Sequence, residues 1–296
     1  MSHELYNLRQ SRTAWFDKAF AEDRFETWYQ PVVDTSGQSL AGHECLIRYT
    51  SDGPHGRVHK APEILEAART RNDIRTFDSY ARALAVRSAS LQKHLSGVSS
   101  PFFVNFLPGS MHEPELTMQP VTELLETAGL KPSDFVFEAV EADLVGDSAR
   151  LRRIQTYMKH QGFGFALDNV GIGANPMQGV CDLRPDYIKI DKNVVWNIEQ
   201  PVYAATVRKL VEISEELGVQ VIATGVHRKH MMENLWLLGV KVMQGFIFGR
   251  ALPGVVRTID SAAIEAQLAE SDLSQLARAL SPAWAAEEER PYVKVL

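Results

Sequence analysis

Short runs of β-branched and aromatic residues recur along this 296-residue chain, and they are bounded by Gly, Pro or Asp. Runs of this kind predict strands. We predict eight of them, at residues 25–34, 43–50, 101–108, 134–141, 163–169, 186–191, 219–226 and 241–249. Between most of these runs, apolar residues recur with the 3.6-residue period of an amphipathic helix, and several of the intervening segments end in a glycine that can cap a helix C-terminus.

The alternation of strands and helices predicts an α/β fold, a modified TIM (β/α)8 barrel. The first connection departs from the regular pattern, because DTSGQSLAG is too short for a crossover helix and is rich in turn residues. We therefore predict that strand 25–34 is antiparallel to its neighbour. The barrel is expected to span residues 25–253, with a helical extension at 1–24 and a helical tail at 254–296.

The composition is that of a soluble globular protein, with 45% hydrophobic and 23% charged residues. The net charge of -6 gives no electrostatic case for binding DNA or RNA. No apolar run approaches the roughly 18 residues of a membrane span, and the polar N-terminus lacks the apolar core of a signal peptide. We expect a cytoplasmic protein whose two cysteines, Cys45 and Cys181, are reduced thiols.

Polar residues interrupt or follow the predicted strands near their carboxyl ends, where TIM-like barrels carry their chemistry. They are Glu44, Asn105, Glu138, Glu141, Asp168, Asn169, Lys189, Asp191 and Gln244. An acid in a buried strand needs a partner, so each acid alone is equally consistent with a salt-bridged structural residue. Several acids together with an asparagine are the oxygen ligands that Mg²⁺ or Mn²⁺ prefers. A lysine beside them suits a phosphate oxygen or an attacking water.

Seven short motifs in this order resemble the EAL domain family of cyclic di-GMP phosphodiesterases. They are YQP at 29–31, ECL at 44–46, VNFLP at 104–108, EAVE at 138–141, DNVGIG at 168–173, DYIKID at 186–191 and QGFIFGRALP at 244–253. The resemblance implies a modified TIM barrel with an antiparallel first strand. This agrees with the hairpin that the first connection predicts on its own.

The resemblance also implies a role for each matching residue. Mg²⁺ or Mn²⁺ would be held by Glu44, Asn105, Glu138 and Asp168, and Lys189 would help to position the water that opens the nucleotide to linear pGpG. Glu141 would anchor the loop that follows Asp168. Cyclic di-GMP would be contacted by Gln30, Leu46, Arg48, Gln244, Phe246 and Arg250. Arg48 is expected to point into the barrel mouth, where a guanidinium can grip a phosphate.

The chain departs from the family pattern at positions tied to a second metal ion. The second acid of the family's DDFGTG loop is Asn169 here, and Thr224 and His227 stand where the family has two glutamates. Divalent-ion affinity depends strongly on ligand charge. We therefore expect one residual metal site and a weak or absent second one. For His227, a packing or loop contact is favoured over a role as a substitute base.

Three functions remain open at this point. The chain could be a receptor that binds cyclic di-GMP without turning it over, and whose surface a protein partner reads. It could instead be a slow or metal-selective phosphodiesterase, or an adaptor that acts through protein contacts alone. The retained Gln30, Arg48, Lys189 and Arg250 favour the receptor, whereas the altered loop at 170–180 favours the adaptor. A homodimer is also open, because many members of the family dimerise.

Overall fold

The computed structural model describes residues 13–52, 56–141, 143–173, 176–259 and 262. Within them the strands are β1 (Phe25–Asp34), β2 (Ser39–Thr50), β3 (Val58–Lys60), β4 (Phe102–Asn105), β5 (Phe135–Val140), β6 (Gly164–Val170), β7 (Tyr187–Ile190), β8 (Gln220–Ala223) and β9 (Val242–Met243). The helices are α1 (Ala14–Ala21), α2 (Ala61–Thr70), α3 (Ile74–Ser96), α4 (Pro114–Thr117), α5 (Gln119–Ala128), α6 (Asp143–Gln161), α7 (Pro176–Leu183), α8 (Lys192–Trp196), α9 (Pro201–Leu217) and α10 (Lys229–Leu237).

Eight of these strands close into a barrel in the order β1-β9-β8-β7-β6-β5-β4-β2, because β1 also pairs with β2. β1 runs antiparallel to both of its neighbours. Every other neighbouring pair in the ring, from β2 and β4 round to β8 and β9, is parallel. The prediction of a TIM-like α/β barrel with an antiparallel first strand is therefore confirmed.

The strands differ from the sequence prediction by one additional strand and by the limits of several others. β2 begins at Ser39 rather than at residue 43, and the predicted strand 219–226 is shortened to β8. β3 pairs antiparallel with β2 outside the closed ring, and its three residues are too few to produce a periodic pattern. The predicted strand 101–108 ends early, at Asn105, and a 3₁₀ helix begins at Pro108. The predicted strand 241–249 is reduced to β9, so that Gln244 lies in the irregular segment that follows it.

The inside of the barrel is layered. The layer further from the carboxyl ends of the parallel strands is a buried apolar cluster. It consists of Val32, Phe103, Val136, Ala166, Ile222 and Val242, with Tyr187 packed against it. Residues two positions apart on a strand face the same side. The next interior positions towards the carboxyl ends of the parallel strands are therefore Asn105, Glu138, Asp168, Lys189, Thr224 and Gln244. The sequence thus builds a polar layer directly above an apolar one.

The main hydrophobic core lies outside the barrel, between the strands and the helices. The alternate residues of β5, Phe135, Phe137 and Ala139, are fully buried there. α1 joins the body of the barrel through aromatic contacts, since the ring of Phe16 lies 5.7 Å from that of Phe25. The domain limits after residues 24 and 253 stay predictions. The predicted helical tail lies outside the described residues beyond 259, apart from residue 262. No helix in the described ranges is both long and apolar enough to cross a membrane.

Candidate functional site

A cavity of about 830 Å³ opens where the barrel strands reach their carboxyl ends. Its polar wall is formed by Gln30, Glu44, Asn105, Asp168, Asn169, Lys189, Thr224, His227 and Gln244. Leu46 and Phe246, which were assigned to nucleotide contact by resemblance, also line it. The structure therefore brings most of the predicted site residues to one place.

Lys189 is the centre of the polar layer. Its ammonium nitrogen lies 3.1 Å from Glu44 Oε2, 2.9 Å from Glu138 Oε1 and 3.0 Å from Glu138 Oε2. The residue is 2% exposed, so the charge depends on these partners rather than on water. Burial acts to lower the pKa of Lys189, but Glu138 and Glu44 outweigh it and raise the pKa above its ordinary value. A raised pKa keeps Lys189 protonated at neutral pH.

Glu44 is the most fully bonded carboxylate of the cluster. Its Oε1 accepts a hydrogen bond from Asn105 Nδ2 at 3.1 Å, and its Oε2 accepts one from Gln244 Nε2 at 2.7 Å. Burial acts to raise the pKa of Glu44, but Lys189 and these two amides more than offset it and lower the pKa. Glu44 is therefore ionised at neutral pH.

The negative charges of Glu138 and Asp168 are less well compensated than that of Glu44. Burial raises the pKa of both carboxyl groups, and Lys189 opposes that rise only in part because the three acids repel one another. Glu138 Oε1 accepts no hydrogen bond from any described residue, although Lys189 Nζ is its ion-pair partner. One ammonium cannot balance three carboxylates. The cluster therefore favours additional positive charge, from a proton or from a cation.

The donor chemistry of this cluster fits a hard divalent cation. Carboxylate and amide oxygens are what Mg²⁺ and Mn²⁺ prefer, and the residues that would hold such an ion are Glu44, Asn105, Glu138 and Asp168. In the arrangement seen here, no three Asp, Glu, His or Cys side chains of the described residues lie close enough together to bind one ion. The Lys189 ammonium lies between Glu44 and Glu138, so metal binding requires these side chains to rearrange.

Both departures nearest the acids are neutral side chains, and Thr224 is hydrogen-bonded to the backbone. The Thr224 hydroxyl donates to the Ile190 carbonyl at 2.8 Å, and the Thr224 backbone N–H donates to the same oxygen at 3.2 Å. Asn169 has φ 58°, in the left-handed region that Asn tolerates better than most other non-glycine residues. Neither residue brings a negative charge to the cavity, so this side of the site lacks the two carboxylates that the family pattern supplies.

His227 and Trp196 share one hydrogen-bond acceptor at the rim. His227 Nδ1 donates to the Gly225 carbonyl at 3.0 Å, and Trp196 Nε1 donates to the same oxygen at 2.8 Å. The two rings stand nearly perpendicular, with their centroids 5.6 Å apart. Trp196 and Lys192 line the cavity, yet sequence reasoning missed both because they lie beyond the end of β7 and belong to no polar strand-end pattern.

Glu141 contacts the loop that follows β6. Its Oε2 accepts a hydrogen bond from the Gly171 backbone N–H at 3.1 Å. The Gly173 backbone lies so close to the same carboxylate that a side chain at Gly173 would displace it. Burial raises the pKa of Glu141, against the lowering effect of the bonds from Gly171 and Gly173. The contact implied by the resemblance is present, and a role in catalysis remains a prediction.

Arg48 lies on the strand face of Glu44, four residues along β2, and is 9% exposed. Its Nη1 donates to the Ile47 carbonyl at 2.9 Å, and its guanidinium carbon lies 5.9 Å from the centre of the Trp28 ring. No acidic residue in the described ranges forms an ion pair with it. The salt-bridge alternative for Arg48 is therefore absent from these ranges, although Arg48 does not itself line the cavity.

The remaining positions assigned to nucleotide contact lie near Gly249 and Phe246. Gln30 Nε2 donates to the Gly249 carbonyl at 3.1 Å. The Arg250 guanidinium carbon lies 4.3 Å from the centre of the Phe246 ring, and Phe246 is half exposed. The rim of the cavity therefore carries an exposed aromatic residue on this side as well.

Fold and site together define the class: a TIM-like barrel protein with a polar site at the carboxyl ends of its strands. Residues 13–251 match the family described as "EAL domain", and the chain belongs to that family.

Curated relatives and solved structures carry the same domain. The chain is 28% identical over 236 residues to the cyclic di-GMP phosphodiesterase RocR of Pseudomonas aeruginosa, an alignment that covers 77% of this chain and 58% of RocR. BlrP1 of Klebsiella pneumoniae, solved as a calcium and cyclic di-GMP complex, is 27% identical. It superposes with a TM-score of 0.70 over 78% of this chain and 57% of BlrP1. The chain thus spans less than two thirds of either protein.

The EAL domain of Xanthomonas citri FimX, solved in complex with cyclic di-GMP, shares the fold at 17% identity with a TM-score of 0.73. The superposition covers 84% of this chain and 98% of that solved domain.

Proposed function

We propose that this chain is a cyclic di-GMP receptor with little or no phosphodiesterase activity. The observation that carries the proposal is the asymmetry of the polar layer. One side keeps Glu44, Glu138 and Lys189 in direct contact. The other side presents the neutral side chains of Asn169 and Thr224, and Thr224 is engaged with a backbone carbonyl.

Binding of cyclic di-GMP is supported by residues at and near the rim of the cavity. A cyclic dinucleotide carries two phosphates and two bases. Its binding site therefore needs cations for the phosphates and flat apolar surfaces for the bases. Phe246 offers a half-exposed ring at the cavity. Arg48, which does not itself line the cavity, forms no ion pair with a described acid and lies on the strand face of Glu44. The similarity to RocR, a cyclic di-GMP phosphodiesterase, and to BlrP1, which was solved with cyclic di-GMP bound, supports the nucleotide as the ligand.

The absence of carboxylates at Asn169 and Thr224 supports the loss of phosphodiesterase turnover. A divalent ion held by Glu44, Asn105, Glu138 and Asp168 would polarise a phosphodiester and lower the pKa of a bound water. Lys189, whose pKa is raised by Glu138 and Glu44 against the effect of burial, is protonated at neutral pH and is therefore a poor general base. The Thr224 hydroxyl donates to Ile190 and carries no basic group. Loss of one acid–base carboxylate commonly lowers a rate by about 10² to 10⁴, and two losses at one site are not additive.

The test is calorimetry of the full chain with cyclic di-GMP, with and without Mg²⁺, combined with chromatography of the same mixtures for pGpG. We expect binding in the micromolar range or tighter and pGpG below detection. Turnover at the rate of an ordinary phosphodiesterase would contradict the proposal. Absence of binding in both conditions would leave an adaptor that acts through protein contacts.

A slow metal-dependent phosphodiesterase is the second candidate, and one observation favours it. The four oxygen-donor residues of the first metal position are all present, and Lys189 lies beside them. For this candidate, pGpG should accumulate over hours in Mn²⁺ or Mg²⁺ and not in EDTA. A single residual metal site is common to both candidates.

A further inference from the structure

Trp196 is an exposed aromatic residue held in a fixed orientation at the rim of the cavity. It ends α8 and is 46% exposed, although its side chain is large and apolar. It lines the same cavity as Lys189, Thr224 and Phe246. An exposed indole that borders a polar cavity is a surface on which a planar group can stack.

Two contacts hold the indole, a hydrogen bond to Gly225 and an edge-to-face contact with the His227 ring, whose centroid lies 5.6 Å away. The indole Nε1 donates to the Gly225 carbonyl at 2.8 Å. Gly225 has φ 74°, and a Cβ atom there would lie 2.6 Å from Lys192 Cβ and 3.1 Å from Trp196 Nε1. Only glycine permits α8 to approach this closely. The ring is therefore pre-organised, which lowers the entropic cost of stacking on it.

A cation accompanies the ring. Lys192 Nζ lies 5.4 Å from the centre of the Trp196 ring, and Lys192 also lines the cavity. An aromatic face beside a positive charge is the combination that single-stranded nucleic-acid binders use, with the ring for the base and the cation for the phosphate.

Trp236 provides an internal comparison. It is 44% exposed, almost the same as Trp196, but Lys241 Nζ lies only 3.2 Å from the centre of its ring. It does not line the cavity. Exposure alone therefore does not distinguish Trp196. The Trp236 indole is also held by a hydrogen bond, from Nε1 to Thr35 Oγ1 at 2.9 Å. Trp196 is therefore distinguished by its position beside the polar layer.

We propose that Trp196 and Lys192 form a stacking subsite for a purine base of the bound nucleotide. This inference rests on the proposed function, because it takes the nucleotide-binding cavity as given. The base would lie against the open face of the indole, and the Lys192 ammonium would offset the charge of the adjoining phosphate. The competing explanation for the position of Trp196 is purely structural. In that case its hydrogen bond to Gly225 only stabilises the Thr224–His227 segment.

Three variants of the full chain separate these explanations by calorimetry with cyclic di-GMP. Trp196→Ala should weaken binding about 5- to 150-fold, which corresponds to ~1–3 kcal/mol per stacked base. Trp196→Phe keeps a ring but loses the bond to Gly225, and it should bind within about threefold of wild type. Trp236→Ala should bind like wild type. Unchanged binding by Trp196→Ala, or equal losses in the Ala and Phe variants at position 196, would overturn the subsite.

A second probe keeps this result distinct from the proposed function. GMP offers one purine and one phosphate, and stacking on an indole quenches its fluorescence. We expect GMP to quench the wild type and to leave Trp196→Phe unaffected. If cyclic di-GMP does not bind but GMP still quenches through Trp196, the receptor proposal fails and the subsite stands. If neither nucleotide produces quenching that depends on Trp196, the subsite is refuted.

Discussion

Replacing Lys189 with Met tests how the polar layer is held together. Met has a similar length and fits the apolar path of the lysine stem, but it removes the ammonium that contacts Glu44 and Glu138. Lys189 is 2% exposed, so water cannot take its place without local rearrangement. Removing one partner of a buried ion pair typically costs about 3–5 kcal/mol, because the remaining charge is left uncompensated. We expect a loss of this size in the free energy of unfolding at pH 8.

The loss should depend on pH in a direction that follows from the carboxyl groups. The pKa of Glu138 in the folded protein is already raised well above its ordinary value, chiefly by burial. Without Lys189 it rises further, and the pKa of Glu44 rises with it. The folded state then binds more protons than the unfolded state, so stability falls as pH rises above the ordinary glutamate range. The variant should therefore be closest to wild type near pH 5.

Urea unfolding at pH 5 and pH 8 in the presence of EDTA measures the difference. Lys209→Met is the matched control, because Lys209 pairs with Glu212 at 2.6 Å on the exposed surface, where an ion pair contributes about 0–1 kcal/mol. Glu138→Gln in the Lys189→Met background should recover part of the loss. The reasoning is refuted if Lys189→Met costs no more than Lys209→Met at pH 8, or if its cost is the same at both pH values.

Three further results follow from the site. Asn169→Asp combined with Thr224→Glu should restore pGpG formation in Mg²⁺ or Mn²⁺, as measured by chromatography; no recovery would assign part of the defect to the altered sequence at 170–180. Arg48→Ala should weaken cyclic di-GMP binding by about 1.5–3 kcal/mol, the range for a charged hydrogen bond, with an unchanged circular dichroism spectrum; wild-type affinity would exclude Arg48 from phosphate contact. Anomalous scattering from Mn²⁺-soaked crystals should show one ion, at Glu44, Asn105, Glu138 and Asp168, and a second fully occupied ion about 3.5–4 Å away would contradict the account.

The barrel could be predicted from local patterns because each strand carries its own signal. Val136 and Glu138 illustrate this, because the two-residue period places both side chains inside the barrel. Only Glu138, which lies nearer the carboxyl end of β5, is polar. The antiparallel first strand followed from a connection too short for a helix. β3 could not be predicted, because three residues contain no full period.

Contacts between distant segments explain what the sequence left open. The bonding of Lys189 to both Glu44 and Glu138 depends on three strands meeting in register, and no single segment encodes that meeting. The contact of Trp196 with Gly225 joins residues 29 positions apart. It exists because a glycine with positive φ permits close approach of α8. The hydrogen bond from Thr224 to Ile190 likewise depends on the pairing of β7 with β8, so it could not be predicted from either segment alone.

Binding of cyclic di-GMP in the cavity without cleavage is the defining property of the proposed receptor. The most direct measurement is calorimetric titration of the full chain with cyclic di-GMP in Mg²⁺, followed by chromatography of the recovered nucleotide. The account predicts saturable binding in the micromolar range or tighter and recovery of intact cyclic di-GMP. Recovery of the nucleotide as pGpG at the rate of an ordinary phosphodiesterase, or the absence of any binding heat, would contradict it.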